Sequence, residues 1–147
     1  MTEPRVDFPR LGQRVYHAML SINTYLEGCS IPEALVELVN LRISQINGCA
    51  FCLDKHTAAL IERGEDSRRL ATLAAWADSP LFDERERAAL RWAETLTRLH
   101  GDGPTEHCYC ALREHFDEQE AVDLTFAITT MNAWNRVSRG FGLMPPR

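Results

Sequence analysis

Apolar residues recur three and four positions apart along almost the whole chain, the period of helices that bury one face. Val15, Met19, Ile22 and Leu26 share one face and predict a first helix over about residues 11–27, with Gly28 as its stop. Ser30-Ile31-Pro32-Glu33 reads as the next start: a capping serine, proline in the first turn and a glutamate three residues after the serine. Leu35, Leu38, Val39, Ile43 and Ile46 form the inward stripe of that second helix, and Asn47-Gly48 breaks it. A third helix begins at Cys49 and ends near Gly64, and a fourth covers about 67–77 before the Ser79-Pro80 loop. Asp83 caps a long helix carrying Leu90, Ala93 and Leu96, which ends before the loop Gly101-Asp102-Gly103-Pro104. A short helix over about 106–115 follows, and Asp117 with Glu120 forms a capping box for the last one. Val122, Leu124, Phe126, Ile128, Met131, Trp134 and Val137 give that last helix a wide apolar arc, suited to a central element or an interface; Gly140 is its predicted stop. No stretch alternates like a strand, so the expected fold class is all-α, a single domain over residues 1–147.

Composition narrows the function classes. The 147 residues are 45% hydrophobic and 25% charged, enough for one well-packed core. The net charge of -5, with basic residues scattered among acids, gives no patch for nucleic acid or an anionic membrane. The opening MTEPRVDFPR has no apolar signal region, and no apolar run approaches the ~20 residues of a membrane span. The expected setting is the cytoplasm, where thiols stay reduced. Five cysteines, an odd number, argue against a fully paired disulfide framework.

The candidate chemistry lies in INGCAFCLDKH, residues 46–56. On a helix, Cys49, Cys52, His56 and Leu60 form one stripe. Cβ atoms three residues apart lie ~5–6 Å from each other, and a disulfide needs ~3.5–4.5 Å, so a small adjustment beside a glycine can close the pair. A helix N-terminus favours the thiolate, and His56 is placed to carry a proton for Cys52. Two other readings stay open. Free cysteines are often buried as small hydrophobes, which suits Cys29, Cys108 and Cys110. A zinc site would draw at most three ligands from Cys49, Cys52 and His56, and only a tertiary coincidence with His107 and Cys108 or Cys110 would complete it. His17, His100, His107 and His115 read as surface or loop histidines. Asn132 and Asn135 read as helix-to-helix hydrogen bonding, and Trp76, Trp92 and Trp134 as core or subunit interface.

The stretch LVELVNLRISQINGCAFCLDKHTAAL resembles the core of the alkylhydroperoxidase D-like (AhpD-like) proteins of the carboxymuconolactone decarboxylase superfamily. Their pattern is a glutamate, a cysteine twelve residues on, then x-x-C-x-x-x-H; Glu37, Cys49, Cys52 and His56 fall on those positions. YHAMLSINTYLEG, SPLFDERERAALRWAETLT and LTFAITTMNAWNR extend the resemblance over most of the chain. It implies an all-helical AhpD-like bundle that assembles as homo-oligomers, trimers or hexamers, and a peroxidase that uses no metal or other cofactor. Cys52 would attack the peroxide, Cys49 would resolve the sulfenic acid to a Cys49–Cys52 disulfide, and an external dithiol would reduce it. Glu37 and His56 would relay protons. Periodicity alone puts Glu37 at the border of its apolar face; the resemblance implies a partly buried carboxylate that exchanges a proton near neutrality. Phe51 stands where the best-known members have a second histidine, which implies a simpler relay and a more apolar mouth. The alternatives are a general disulfide reductase or redox adaptor with little peroxidase activity, a decarboxylase, whose branch generally does without the cysteine pair, and a zinc-binding structural module.

Overall fold

A computed structural model describes residues 4–101 and 103–146; Asp102 of the predicted Gly/Pro loop, and residues 1–3 and 147, lie outside the described residues. The described residues form helices and no strand: α1 (Phe8–Leu11), α2 (Gln13–Glu27), α3 (Glu33–Asn47), α4 (Ala50–Glu62), α5 (Ser67–Thr72), α6 (Glu84–Thr97), α7 (Glu106–Arg113) and α8 (Glu118–Phe141). The all-α expectation is met. No described helix is long and apolar enough to cross a membrane.

Local chemistry accounts for most boundaries. Asp83 with Glu86, and Asp117 with Glu120, form reciprocal capping boxes at the starts of α6 and α8. Gly48 adopts φ +63°, the left-handed conformation that ends α3 and that only glycine takes up without strain. Four expectations need correction. Pro32, not Ser30, is the residue that precedes α3, because Ser30 is drawn away to bond Asp123. Residues 67–77 are not one helix: α5 gives way to a 3-10 turn over Leu73–Asp78, with a kink at Ala75. The last helix passes Gly140 and stops at Gly142, whose φ of +72° makes the αL cap. The first helix is broken at Gly12, with the short α1 before it.

The core forms where α3 meets α4, α6 and α8. Leu38, Val39, Leu41 and Ile43 of α3 are buried against Ala89, Leu90 and Ala93 of α6 and Leu124 and Ile128 of α8. Each fully buried leucine or isoleucine contributes about 2 kcal/mol. Polar links then fix the register. Arg42 and the Trp76 indole both donate to Glu94, binding α3 to α6 and the 3-10 turn. Burial works against the ionised Glu94, yet its bonds from Trp76 and Arg42 and the charge of Arg98 hold its carboxyl below the usual range. Asn135, fully buried, donates to Ser44 Oγ at 3.1 Å, and Asn47 donates to both Asn132 and Asn135. Those bonds confirm the helix-to-helix reading of the two asparagines. Together with Ser30 bonded to Asp123, they show α3 and α8 running side by side in the same direction.

α2 lies across the outside of this core and has no buried residue. Val15 and Ile22 are exposed, while Met19 is half-buried and Leu26 packs on the core, so only part of the stripe read from the sequence turns inward. Val122 and Phe126 of α8 are likewise exposed, one helical turn apart.

Candidate functional site

The α3–α4 hairpin carries every residue of the sequence motif. Its turn is short: the Cys49 N–H donates back to the Ser44 carbonyl at 3.1 Å, directly after the left-handed Gly48. Cys49 is therefore the residue that caps α4, one position before the first turn in which the spacing placed it. Its sulfur accepts from the Cys52 N–H at 3.4 Å. Cys52 lies within the first turn, and the two sulfurs are joined as a disulfide, with Cα atoms 5.3 Å apart. Both cysteines are buried, at 1% and 3% exposure.

His56 follows Cys52 by one turn of α4 and is buried. Its Nδ1 lies 2.7 Å from Glu37 Oε2, across the hairpin on α3. With a carboxylate partner the ring donates from Nδ1, which leaves Nε2 to exchange protons. Glu37 is partly buried, its side chain 18% exposed, as the resemblance implied.

Cys52, His56 and Glu37 all line one cavity of about 330 Å³, and Cys49 does not. The cavity lies between α2, α3, α4 and α8. α2 closes it with Tyr16, Leu20, Asn23 and Leu26, of which only Leu26 belongs to the predicted stripe. Phe51 is in the wall, and so are the charged residues Lys55, Glu27 and Glu33. Trp134 is a wall residue too, with its indole N–H donated to Asn23 Oδ1 at 3.0 Å; of the expectation of core or subunit interface, core holds for Trp76 and Trp92, and Trp134 packs partly against the core. The N-terminal segment reaches the cavity through Phe8, which stacks on Phe141 at 5.0 Å and meets Tyr16 edge-on.

Other candidates fall elsewhere. Cys29, Cys108 and Cys110 are free thiols, and none lines the cavity. Hydrogen bonds from Thr105 pull the Cys108 thiol below its ordinary range, with burial opposing and Arg91 assisting, but it sits on α7 against Trp92. His17, His100 and His107 are exposed and His115 half-buried.

Asp123 went unremarked in the sequence. It is 1% exposed and accepts from Tyr25, from the Ser30 N–H and hydroxyl, and from Gln119. Burial pushes its carboxyl up, and these four donors outweigh that and hold it below the usual range. An aspartate in the otherwise apolar run Ala121–Leu124 was the available signal.

Residues 13–95 match the Carboxymuconolactone decarboxylase family. The chain is 35% identical over 138 residues to the uncharacterized protein YdfG of Bacillus subtilis, covering 94% of each. Its fold is similar to the crystal structure of a protein of unknown function from Agrobacterium tumefaciens, associated by name with the antioxidant defence protein AhpD. That similarity has a TM-score of 0.93 and 30% identity, over 99% of both chains. It is also similar to an uncharacterized peroxidase-related protein from Silicibacter, with a TM-score of 0.79 and 25% identity, over 88% of this chain and 69% of that one.

Proposed function

The chain belongs to the carboxymuconolactone decarboxylase family as an AhpD-like member, and on that premise we propose that it is a thiol-dependent hydroperoxidase. The observation that carries the reading is that Cys52, His56 and Glu37 line one cavity while Cys49 lies outside it, bonded to Cys52. A small substrate entering the cavity meets the Cys52 sulfur first.

In the reduced state, His56 Nε2 takes the Cys52 thiol proton, and Glu37 steadies the imidazolium through Nδ1. The thiolate attacks the terminal peroxide oxygen and the O–O bond breaks. The alkoxide takes the proton from His56 and leaves as the alcohol, and Cys52 becomes a sulfenic acid. The Cys49 sulfur then attacks Cys52, the S–S bond forms, the S–O bond breaks, and hydroxide leaves with the Cys49 proton as water. An external dithiol returns the pair to the reduced state by two exchanges and ends as a disulfide itself. The sum is hydroperoxide plus dithiol giving alcohol, water and disulfide.

Burial of both sulfurs favours a small peroxide over a protein disulfide as the oxidising partner, which sets the general reductase reading second. Self-association fits the exposed Val122 and Phe126 of α8 and the exposed Val15 and Ile22 of α2.

Intact mass and thiol counting, before and after one equivalent of cumene hydroperoxide, test the reading. Two thiols should disappear, the mass should fall by two hydrogens, and peptide mapping should join Cys49 to Cys52. A pair that stays reduced while Cys108 or Cys110 oxidises overturns it.

A further inference from the structure

Besides the phenol of Tyr16, the cavity wall contains two buried aliphatic hydroxyls that the peroxide chemistry does not use. Thr130 and Ser138 are 7% and 3% exposed and both line the cavity. The other hydroxyls of α3 and α8 are tied off. Thr125 donates to the Ala121 carbonyl at 2.7 Å, Thr129 to Phe126 at 3.1 Å, and Ser44 to Asn40 at 2.8 Å. Among the described residues, the Thr130 and Ser138 side chains have no such partner. No side-chain oxygen among the described residues is sealed in packing without a bond, so these two oxygens keep accessible surface, and the cavity is what both residues line. Buried polar groups in folded proteins are normally satisfied, so a pair left open in a cavity points to a ligand that satisfies them.

Their spacing describes that ligand. Eight residues of helix separate them by about 12 Å. Between them the wall is apolar, formed by Met131 and the ring of Trp134, whose N–H is already committed to Asn23. The reactive sulfur lies level with the interval between them. The bonds Ser44–Cys49 and Glu37–His56 set Cys52 beside residues 37–44 of α3, and the bonds Ser30–Asp123 and Ser44–Asn135 set that stretch beside the middle of α8. A hydroxyl both donates and accepts, so each of the two can hold a hydroxyl or a carbonyl.

We propose that Thr130 and Ser138 form a two-point hydroxyl clamp that selects an organic hydroperoxide with an apolar body and a second hydrogen-bonding group, a hydroxyl or carbonyl, at its far end. The substrate class rests on the peroxidase reading; the clamp itself does not. One hydroxyl holds the reacting end near Cys52 and the other holds the distal group. A simple alkyl hydroperoxide or hydrogen peroxide satisfies only one of them.

Calorimetric titration of the oxidised protein with octanediol, bearing a hydroxyl at each end, and with octanol tests the clamp without any turnover. The diol should bind about fivefold tighter than octanol, the worth of one neutral hydrogen bond. Thr130→Val and Ser138→Ala should each remove that preference, while Thr130→Ser and Ser138→Thr keep it. Equal loss of both ligands, or no diol preference in the unaltered protein, overturns the proposal. Diol preference in a protein that reduces no hydroperoxide would leave the clamp standing and remove the peroxidase reading. Hydroperoxide turnover without diol preference would do the reverse.

Discussion

His56 Nδ1 and Glu37 Oε2 lie 2.7 Å apart, which makes residues on two helices one acid–base unit. Glu37→Gln keeps an oxygen within reach of the ring but cannot balance an imidazolium. The variant should oxidise its thiols with hydroperoxide roughly 100-fold more slowly, the lower end of what positioned acid–base groups supply. Its pH–rate profile should move as well. Stopped-flow thiol consumption across pH measures both, and an unchanged rate and profile would reduce Glu37 to a spacer between α3 and α4.

The two cysteines should differ in what their removal leaves behind. Cys52→Ser should abolish peroxide-driven oxidation at the site. Cys49→Ser should react once and stop, with a sulfenic acid at Cys52 that dimedone labels. Mass spectrometry of the labelled peptide decides the order; a dimedone adduct on Cys49 in the Cys52→Ser protein at full rate would reverse the assignment.

Asp123 should make the fold acid-sensitive. Its carboxyl is held low in the folded protein, so its stabilisation is fully present above the unfolded value of about 3.9 and is lost as pH falls through the lower folded value. Asp123→Asn turns an amide N–H toward donors it cannot accept from, and should cost about 2 kcal/mol near neutral pH. Urea midpoints of the two proteins should converge as the pH drops below about 4. A gap that stays constant with pH would mean that Asp123 acts through shape alone.

The helical starts at Asp83 and Asp117 were legible because a capping box is written in residues three apart, with no help from the rest of the fold. Cys49, Cys52 and His56 were legible for the same reason, since one helical stripe contains them; Glu37, across the hairpin on α3, was legible only through the family resemblance. Ser30 misled because its sequence context describes a cap, whereas a buried carboxylate at Asp123 needs its donors more. Most of the working face of α2, Leu26 apart, was hidden for a different reason. Its cavity residues mix Tyr16 and Leu20 with Asn23, and a wall of mixed polarity leaves no hydrophobic period to read. Thr130 and Ser138 were equally hidden, since a helical hydroxyl usually bonds back to its own turn and only coordinates show the two that do not.

The short turn at Gly48 has an evolutionary consequence. Reactivity is encoded in a stretch whose ends, Glu37 and His56, are 19 residues apart and close on each other, whereas the cavity walls come from both ends of the chain, Phe8 and Leu143 included. Changes at the termini, in α2 or along α8 can therefore reshape what enters without disturbing the sulfur chemistry. A lineage could change diet while keeping the same teeth.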